Sequence, residues 1–541
     1  MANNIENQVD QSAGEIHEKQ GLKQELNKGV FWSAFAAIGT VVALLLIFPE
    51  QGNDVINSIL HWIEYNLDWF FEFGNFAFLI FGLYMAFGKY GKVKLGDPLS
   101  KPEFSTLSWA AMLFCTGIGS SLIYWGVCEP LAYWGAPPFG LEPYSDAAIE
   151  WGVPYTMFHW GIMGWVPSVI PGLAVGFAYH NRKNGSLAIS QACIPLIGTK
   201  RANGVLGKLI DILVIFGIMG ASATSLGVGV PQITAAISLL FNVEITTSMS
   251  VIVLVLWVAL FGYSVYKGLY KGIKVLADIN VYLAFVLLGG IVLCGPTVFI
   301  LSNMTNSFGL MLQNFVRMCF YTDPIGGSGF PQEWTVFFYA WWICYGPLIG
   351  IFLARVSKGR TFREVVICCF VFAAVGCWVV GGLFGSYAVH LQESGQVALL
   401  DIYTNQGGAA AMVATIGALP FAKAFLVIFI LVQFISMATG LDSAALVMAS
   451  NCTRNLYGED QPARSQRIIW ACMLGALSLG VVLIGTLGAV QSTSIVGAVP
   501  LFFVWIIMMI ALMRWLKATY GTGVIDVNHP IETKNSTSDA A

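Results

Sequence analysis

The sequence predicts an all-α polytopic membrane protein with about twelve transmembrane helices, since a span of ~20 residues crosses the hydrocarbon core. Three observations carry that fold class. The chain of 541 residues is 57% hydrophobic and only 11% charged, with a mean hydropathy of +0.72, outside the balance of soluble globular domains. Long apolar runs such as VFWSAFAAIGTVVALLLIF and AFLVIFILVQFISMATGL recur along it. Lys and Arg gather after every second run, as expected where cytoplasmic loops set orientation.

In chain order, residues 1–27 are polar and expected to form a disordered cytoplasmic tail, with no cleavable leader before the first apolar run. The membrane domain, 28–515, begins with the uninterrupted run 28–48, followed by the Phe-rich run 69–88. Span 3, 107–133, is long but carries Gly117, Gly119, Ser120 and Ser121 in its middle. Spans 4 to 7 follow at 152–179, 208–240, 247–266 and 277–302. Span 8, 333–356, opens with EWTVFFYAWWICYG and contains Gly346–Pro347. Spans 9 to 12 lie at 363–389, 420–448, 467–488 and 491–515, and residues 516–541 form a second short cytoplasmic tail. Basic residues follow the even-numbered spans, among them Lys92 and Lys94, Arg182 and Lys183, Lys271 and Lys274, Arg360 and Arg363, and Arg464 and Arg467. Opposite loops such as PPFGLEPYSDAAIE and HLQESGQ are acidic or neutral, so both termini are expected inside.

Composition also excludes classes. A net charge of −3 provides no basic surface for nucleic acid. The eleven cysteines lie mostly within spans, without C-x-x-C pairs, and read as small apolar residues. Six scattered His have no metal-ligand spacing, and no phosphate loop or nucleophile motif occurs, which argues against an enzyme.

If spans 3–7 and 8–12 are two inverted five-helix repeats, the Gly/Ser cluster and Gly346–Pro347 are expected to interrupt the first helix of each. Such paired interruptions mark a midplane site in secondary transporters. The competing reading is that small residues let helices pack closely. Trp341, Trp342 and Tyr345 lie two to three turns inside span 8, and Trp341 and Tyr345 share a face at i, i+4. A quaternary ammonium carries charge without an N–H donor, so ring faces suit it, at about 2 kcal/mol per desolvated contact. Trp334, nearer the outer end, fits an interfacial belt equally well.

EWTVFFYAWW, followed by FLARVSKGRTFRE (Phe352–Glu364), resembles the span-8 signature of the betaine/choline/carnitine transporter family, with Tyr339 where Trp is usual. YWGVCEPLAYW (Tyr124–Trp134), MFHWGIMGW (Met157–Trp165) and YKGIKVLADIN (Tyr270–Asn280) are similar to family segments in the same order. The resemblance covers about residues 25–520. It implies a sodium/amino-acid-symporter-like fold of two inverted five-helix repeats after two extra spans, assembled as a homotrimer in a bacterial-type inner membrane. The implied activity is alternating-access transport of a zwitterionic quaternary-ammonium compound such as carnitine, γ-butyrobetaine or glycine betaine. Sodium-independent antiport, choline or trimethylamine N-oxide transport, and a non-transporting sensor are the alternatives.

Carried over residue by residue, the resemblance places a cage at Tyr124, Trp160, Trp341 and Tyr345, with Trp342 at an access position. Tyr345, where glycine-betaine symporters usually have Trp, is similar to the carnitine and γ-butyrobetaine branch. The substrate carboxylate is expected at backbone amides around Gly117 and Gly119. No organic cofactor is implied. Sodium as coupling ion would use Thr439, carbonyls near Cys115 and Ile118, and Ser222. Gly440 stands where a second hydroxyl is usual, and TGIGSS departs from the common Gly-x-Gly-x-Gly form. The Met and Arg side chains of sodium-independent exchangers are not matched either, because Ile349 occupies the Met position and span 5 has no Arg. Cation-coupled uptake is therefore the leading expectation. The short, Arg-poor C-terminal tail predicts weak or absent osmotic activation. Glu129 reads as a cation contact or a structural residue beside Pro130, and Asp442 as a functional acid or a paired one. Asp278 and Arg363 read as helix-end charges, and His159 as a satisfied packing residue.

Overall fold

The computed structural model describes residues 24–118, 121–267, 270–456, 460–484 and 487–521, and within them the chain is almost wholly helical. Every predicted span falls on helix. Eight helices among the described residues are each long and apolar enough to cross a membrane, including Asp68–Phe87, Val205–Phe241, Pro331–Val356 and Ala422–Asn451. The other predicted spans correspond to Lys28–Ile47, the helices Thr106–Ile118 and Ser121–Gly135 on either side of residues 119–120, Thr247–Lys267, and Tyr270–Cys294.

Span 7 ends earlier than its hydropathy suggested. Gly295–Pro296 stops the helix at Cys294, and the chain turns by 107° into Thr297–Cys319, because proline cannot continue the hydrogen-bond ladder. That second helix, like Pro49–Asn66 and Leu399–Gln406, occupies a segment expected as loop. All three mix polar and apolar residues, so a hydropathy scan passes over them.

The two halves repeat one order of elements. In each, two helices are followed by short helices (Ile189–Ala202 in the first, Leu399–Gly417 in the second), a long helix (Val205–Phe241 or Ala422–Asn451) and two more. An odd number of spans per half turns the second half over, which is the inverted repeat.

Contacts between loops fix which ends share a side. Glu25–Leu26 pairs antiparallel with Thr453–Arg454, and Lys94 bridges to Thr361. Arg182 reaches Thr519 at 2.5 Å, and Arg514 donates to the Pro195 carbonyl at 3.1 Å. The basic loops after spans 2, 4, 8 and 10 therefore lie on one face together with both described chain ends. On the other face Asn306 donates to Glu150 at 2.8 Å, and Tyr321 accepts from the Phe139 amide at 2.8 Å. Large apolar side chains such as Tyr282, Phe285, Leu293 and Phe372 are exposed on the bundle exterior, where lipid tails solvate them.

Arg360 anchors the start of Thr106–Ile118. Its guanidinium donates to the Phe104 carbonyl at 2.7 Å and to Thr106 and Glu364 at 3.1 Å. Glu364 in turn closes a capping box with Thr361 at the start of span 9. The basic motif after span 8 thus holds the entrance of span 3.

Candidate functional site

Span 4 is two helices, Gly152–Trp160 and Ile162–Gly176, separated at Gly161. A helix end leaves carbonyls without intrahelical partners, and here indoles take them. Trp378 donates to the Met157 carbonyl at 2.8 Å, and Trp342 donates to the His159 carbonyl at 3.1 Å. Both approaches need glycine. A β-carbon on Gly161 would lie 2.5 Å from Trp378 Nε1, and one on Gly164 would lie 2.6 Å from the Trp342 ring. This break was not anticipated; a lone Gly flanked by apolar residues carries little signal. GIMG, with two glycines beside two indole-bearing helices, was the feature that held it.

The break turns Trp160 toward span 8. Its ring meets Trp341 at 5.4 Å and Trp342 at 5.6 Å between centroids, both edge-on. Trp341 stacks on Tyr345 at 5.2 Å and contacts Trp342 at 5.0 Å. Trp341 donates to the Ala221 carbonyl of span 5 at 3.2 Å. Four predicted residues, Trp160, Trp341, Trp342 and Tyr345, therefore form one continuous cluster, buried from solvent. Phe338, not singled out from the sequence, joins it by packing on Trp160 at 5.6 Å and stacking on His159 at 4.6 Å.

Tyr124 stands apart from those ring contacts. Its ring meets Trp125 edge-on at 5.1 Å, and a β-carbon on Gly408 would lie 2.5 Å from its hydroxyl. Trp334 is not at an interface. It is buried against Tyr133 at 4.9 Å and Trp125 at 6.1 Å.

Of the segment expected to unwind, residues 119–120, Gly119 among them, lie outside the described residues. Cys115, Gly117 and Ile118 belong to the helix Thr106–Ile118, and the next helix starts at Ser121. The Gly117 amide thus sits in a helical turn, where it is spent on a carbonyl one turn back.

Gly346–Pro347 does not interrupt span 8. Phe337–Val356 runs through it as one helix, after a π-helical turn at Pro331–Val336. The loop leading in is held by Asp323, which accepts from the Gly326 and Ser328 amides at 3.2 and 2.9 Å. Partial burial works against its charge, but hydrogen bonds centred on Ser328 hold its carboxyl below the usual range.

Around the coupling residues, Thr106–Ile118 packs against Ala422–Asn451. Thr439, on the latter, donates to the Ile435 and Ser436 carbonyls at 3.1 and 2.9 Å. The Ser222 hydroxyl is buried without a hydrogen-bond partner. Among the remaining charges, Asp442 pairs with Arg467 at 2.9 Å, and Arg363 donates to the Ala86 carbonyl at the end of span 2, at 3.0 Å. Asp278 is exposed. His159 is fully satisfied between Tyr133 and Thr335.

The family model for betaine/carnitine/choline family transporters matches residues 29–521. The chain belongs to this family. It is accordingly a multi-pass membrane transporter of quaternary-ammonium compounds and not an enzyme. In this family member, Glu129 is placed directly behind the aromatic cluster. Trp160 Nε1 donates to Glu129 Oε1 at 2.6 Å, and the Tyr133 hydroxyl donates to Oε2 at 2.8 Å. Neither of the sequence readings of Glu129 named these partners: Tyr133 lies one turn on in the same helix, and Trp160 belongs to span 4.

Proposed function

We propose that the transporter carries a zwitterionic quaternary-ammonium compound of the carnitine, γ-butyrobetaine or glycine-betaine type, by alternating access and with cation-coupled uptake. The observation that supports this is the cluster of Trp160, Trp341, Trp342 and Tyr345. Each indole N–H is committed to a protein acceptor, so the rings are fixed by their edges and recognition is left to their faces. Faces are what a methylated cation needs. Backbone amides of the Gly/Ser segment 117–121 are the proposed donors for the substrate's carboxylate.

Oxygen ligands suit a hard cation. Backbone carbonyls near Cys115 and Ile118, on a helix that packs against the one carrying Thr439, are the proposed oxygen ligands. With the unpartnered Ser222 hydroxyl, these are the groups for sodium, which moves as co-substrate. The proposed setting is a homotrimer in an inner membrane with the basic face cytoplasmic.

Uptake of a labelled quaternary-ammonium panel into proteoliposomes, with and without a sodium gradient, tests this reading. Accumulation of a zwitterion that collapses without sodium is expected. Sodium-independent counterflow would replace symport with exchange, and absence of any counterflow would leave a sensor. Trp341→Ala is expected to abolish transport with membrane expression intact; near-normal uptake would remove the cage.

A further inference from the structure

Trp341 and Trp342 give their N–H groups to neutral backbone carbonyls at 3.2 and 3.1 Å, whereas Trp160 gives its own to a carboxyl oxygen of Glu129 at 2.6 Å. The other Glu129 oxygen accepts from Tyr133 at 2.8 Å. The Tyr133 oxygen lies 3.0 Å from His159 Nδ1, and His159 Nε2 lies 3.2 Å from Thr335 Oγ1. Two placements of protons satisfy every group. In one the network is neutral: Glu129 is protonated and donates to Tyr133, Tyr133 donates to Nδ1, and Nε2–H donates to Thr335. The other has Glu129 ionised: Thr335 donates to Nε2, Nδ1–H donates to the Tyr133 oxygen, and Tyr133 O–H and Trp160 N–H both donate to Glu129. This second placement leaves both Glu129 oxygens as acceptors and gives the network one negative charge.

The charge is buried: Glu129, Tyr133, His159 and Thr335 are all within 1% of full burial. Among the described residues no Lys or Arg forms an ion pair with Glu129; its ion-pair contact is the 3.5 Å approach of His159 Nδ1. A buried carboxylate without a cationic partner is costly, and a cation in the aromatic cluster would offset that cost from the far side of a single indole.

We propose that Glu129 is the counter-charge of the transported ammonium and acts through Trp160. An indole N–H bonded to a carboxylate shifts electron density into the ring, which deepens the negative potential of its face where a cation binds. The same bond fixes the plane of the indole. Glu129 is thus a positioning and polarising residue that does not touch the substrate. This role rests on the cage reading above.

The test compares two probes in a binding competition: glycine betaine or carnitine, and the same molecule with an uncharged tert-butyl carbon in place of the ammonium nitrogen. The quantity read is the ratio of their affinities, which does not depend on the fraction of folded protein. Wild type should prefer the ammonium. If it does not, the cage reading itself fails. Glu129→Gln keeps an acceptor for Trp160 and removes the charge; it should cut the preference by about tenfold, chiefly by weakening the ammonium. Glu129→Asp should retain more of the preference than Glu129→Gln. A purely structural network would weaken both probes alike in Glu129→Gln and leave the ratio unchanged, which overturns the proposal. Trp160→Phe, which keeps a ring but removes the N–H, should lower the ratio as well, and an undiminished ratio there also overturns it.

Discussion

Two glycines in facing helices met opposite fates. Gly161 separates Gly152–Trp160 from Ile162–Gly176, while Gly346, although followed by Pro347, lies inside the continuous helix Phe337–Val356. Local propensity predicts the reverse, since Pro removes a hydrogen bond and clashes with the preceding turn. Tertiary partners decide the matter. At Gly161 two indoles stand ready for the freed carbonyls, so opening the ladder loses few hydrogen bonds. At Gly346 the space is filled by the neighbouring helix: a β-carbon would sit 3.0 Å from Trp505 and 3.3 Å from the Pro167 carbonyl. Gly350, one turn on, faces Pro171, whose Cγ would be 2.4 Å from a β-carbon there. Gly346 and Gly350 form a groove for the ridge Pro167–Pro171, the close packing that small residues permit in membranes.

The largest effect that comparison predicts is at the groove. Gly350→Leu would drive a side chain into Pro171, and overpacking of this kind costs about 1–3 kcal/mol or more. Because Phe337–Val356 carries Trp341, Trp342 and Tyr345, loss of monodisperse protein on size exclusion is expected, together with loss of transport. A well-folded, fully active Gly350→Leu would show that the helices do not meet as described. Next in size is Trp342→Phe, which keeps a ring but leaves the His159 carbonyl unpaired. A buried group left without its partner costs about 1–3 kcal/mol, seen as a lowered melting temperature without substrate. Trp378→Phe does the same to the Met157 carbonyl outside the cluster. It should cost a similar or smaller amount of stability and leave substrate preference unchanged; a changed preference would mean that the break is part of recognition.

What was legible in the sequence follows the same division. Trp160 is singled out by the resemblance to family segments, while the spans, the basic face and the crowd of Trp341, Trp342 and Tyr345 come from composition and periodicity, which belong to a segment by itself. The helix Thr297–Cys319 and the contact of Glu129 with Trp160 do not. The first is a polar-apolar mixture whose helicity depends on its docking, and the second joins residues 31 positions apart across two helices. The cluster was visible as residue types, but its geometry depends on a break at Gly161 that only the indole donors of other helices make affordable. Tyr124 was reached by the resemblance alone, and its hydroxyl lies close to Gly408.

Pro347→Ala should have the smallest effect and is the sharpest test of the comparison. Alanine restores an N–H that can reach the carbonyl one turn back, and it removes a ring from a helix that is already continuous. If Pro347 is only accommodated, stability should rise slightly or stay level, and transport should remain within about twofold, because the positions of Trp341, Trp342 and Tyr345 are set by their own N–H bonds and stacking rather than by a kink. A tenfold loss of transport with unchanged stability would have a different meaning. It would show that the helix must open at Gly346–Pro347 during the cycle, so that the two glycines differ in the state captured here and not in kind.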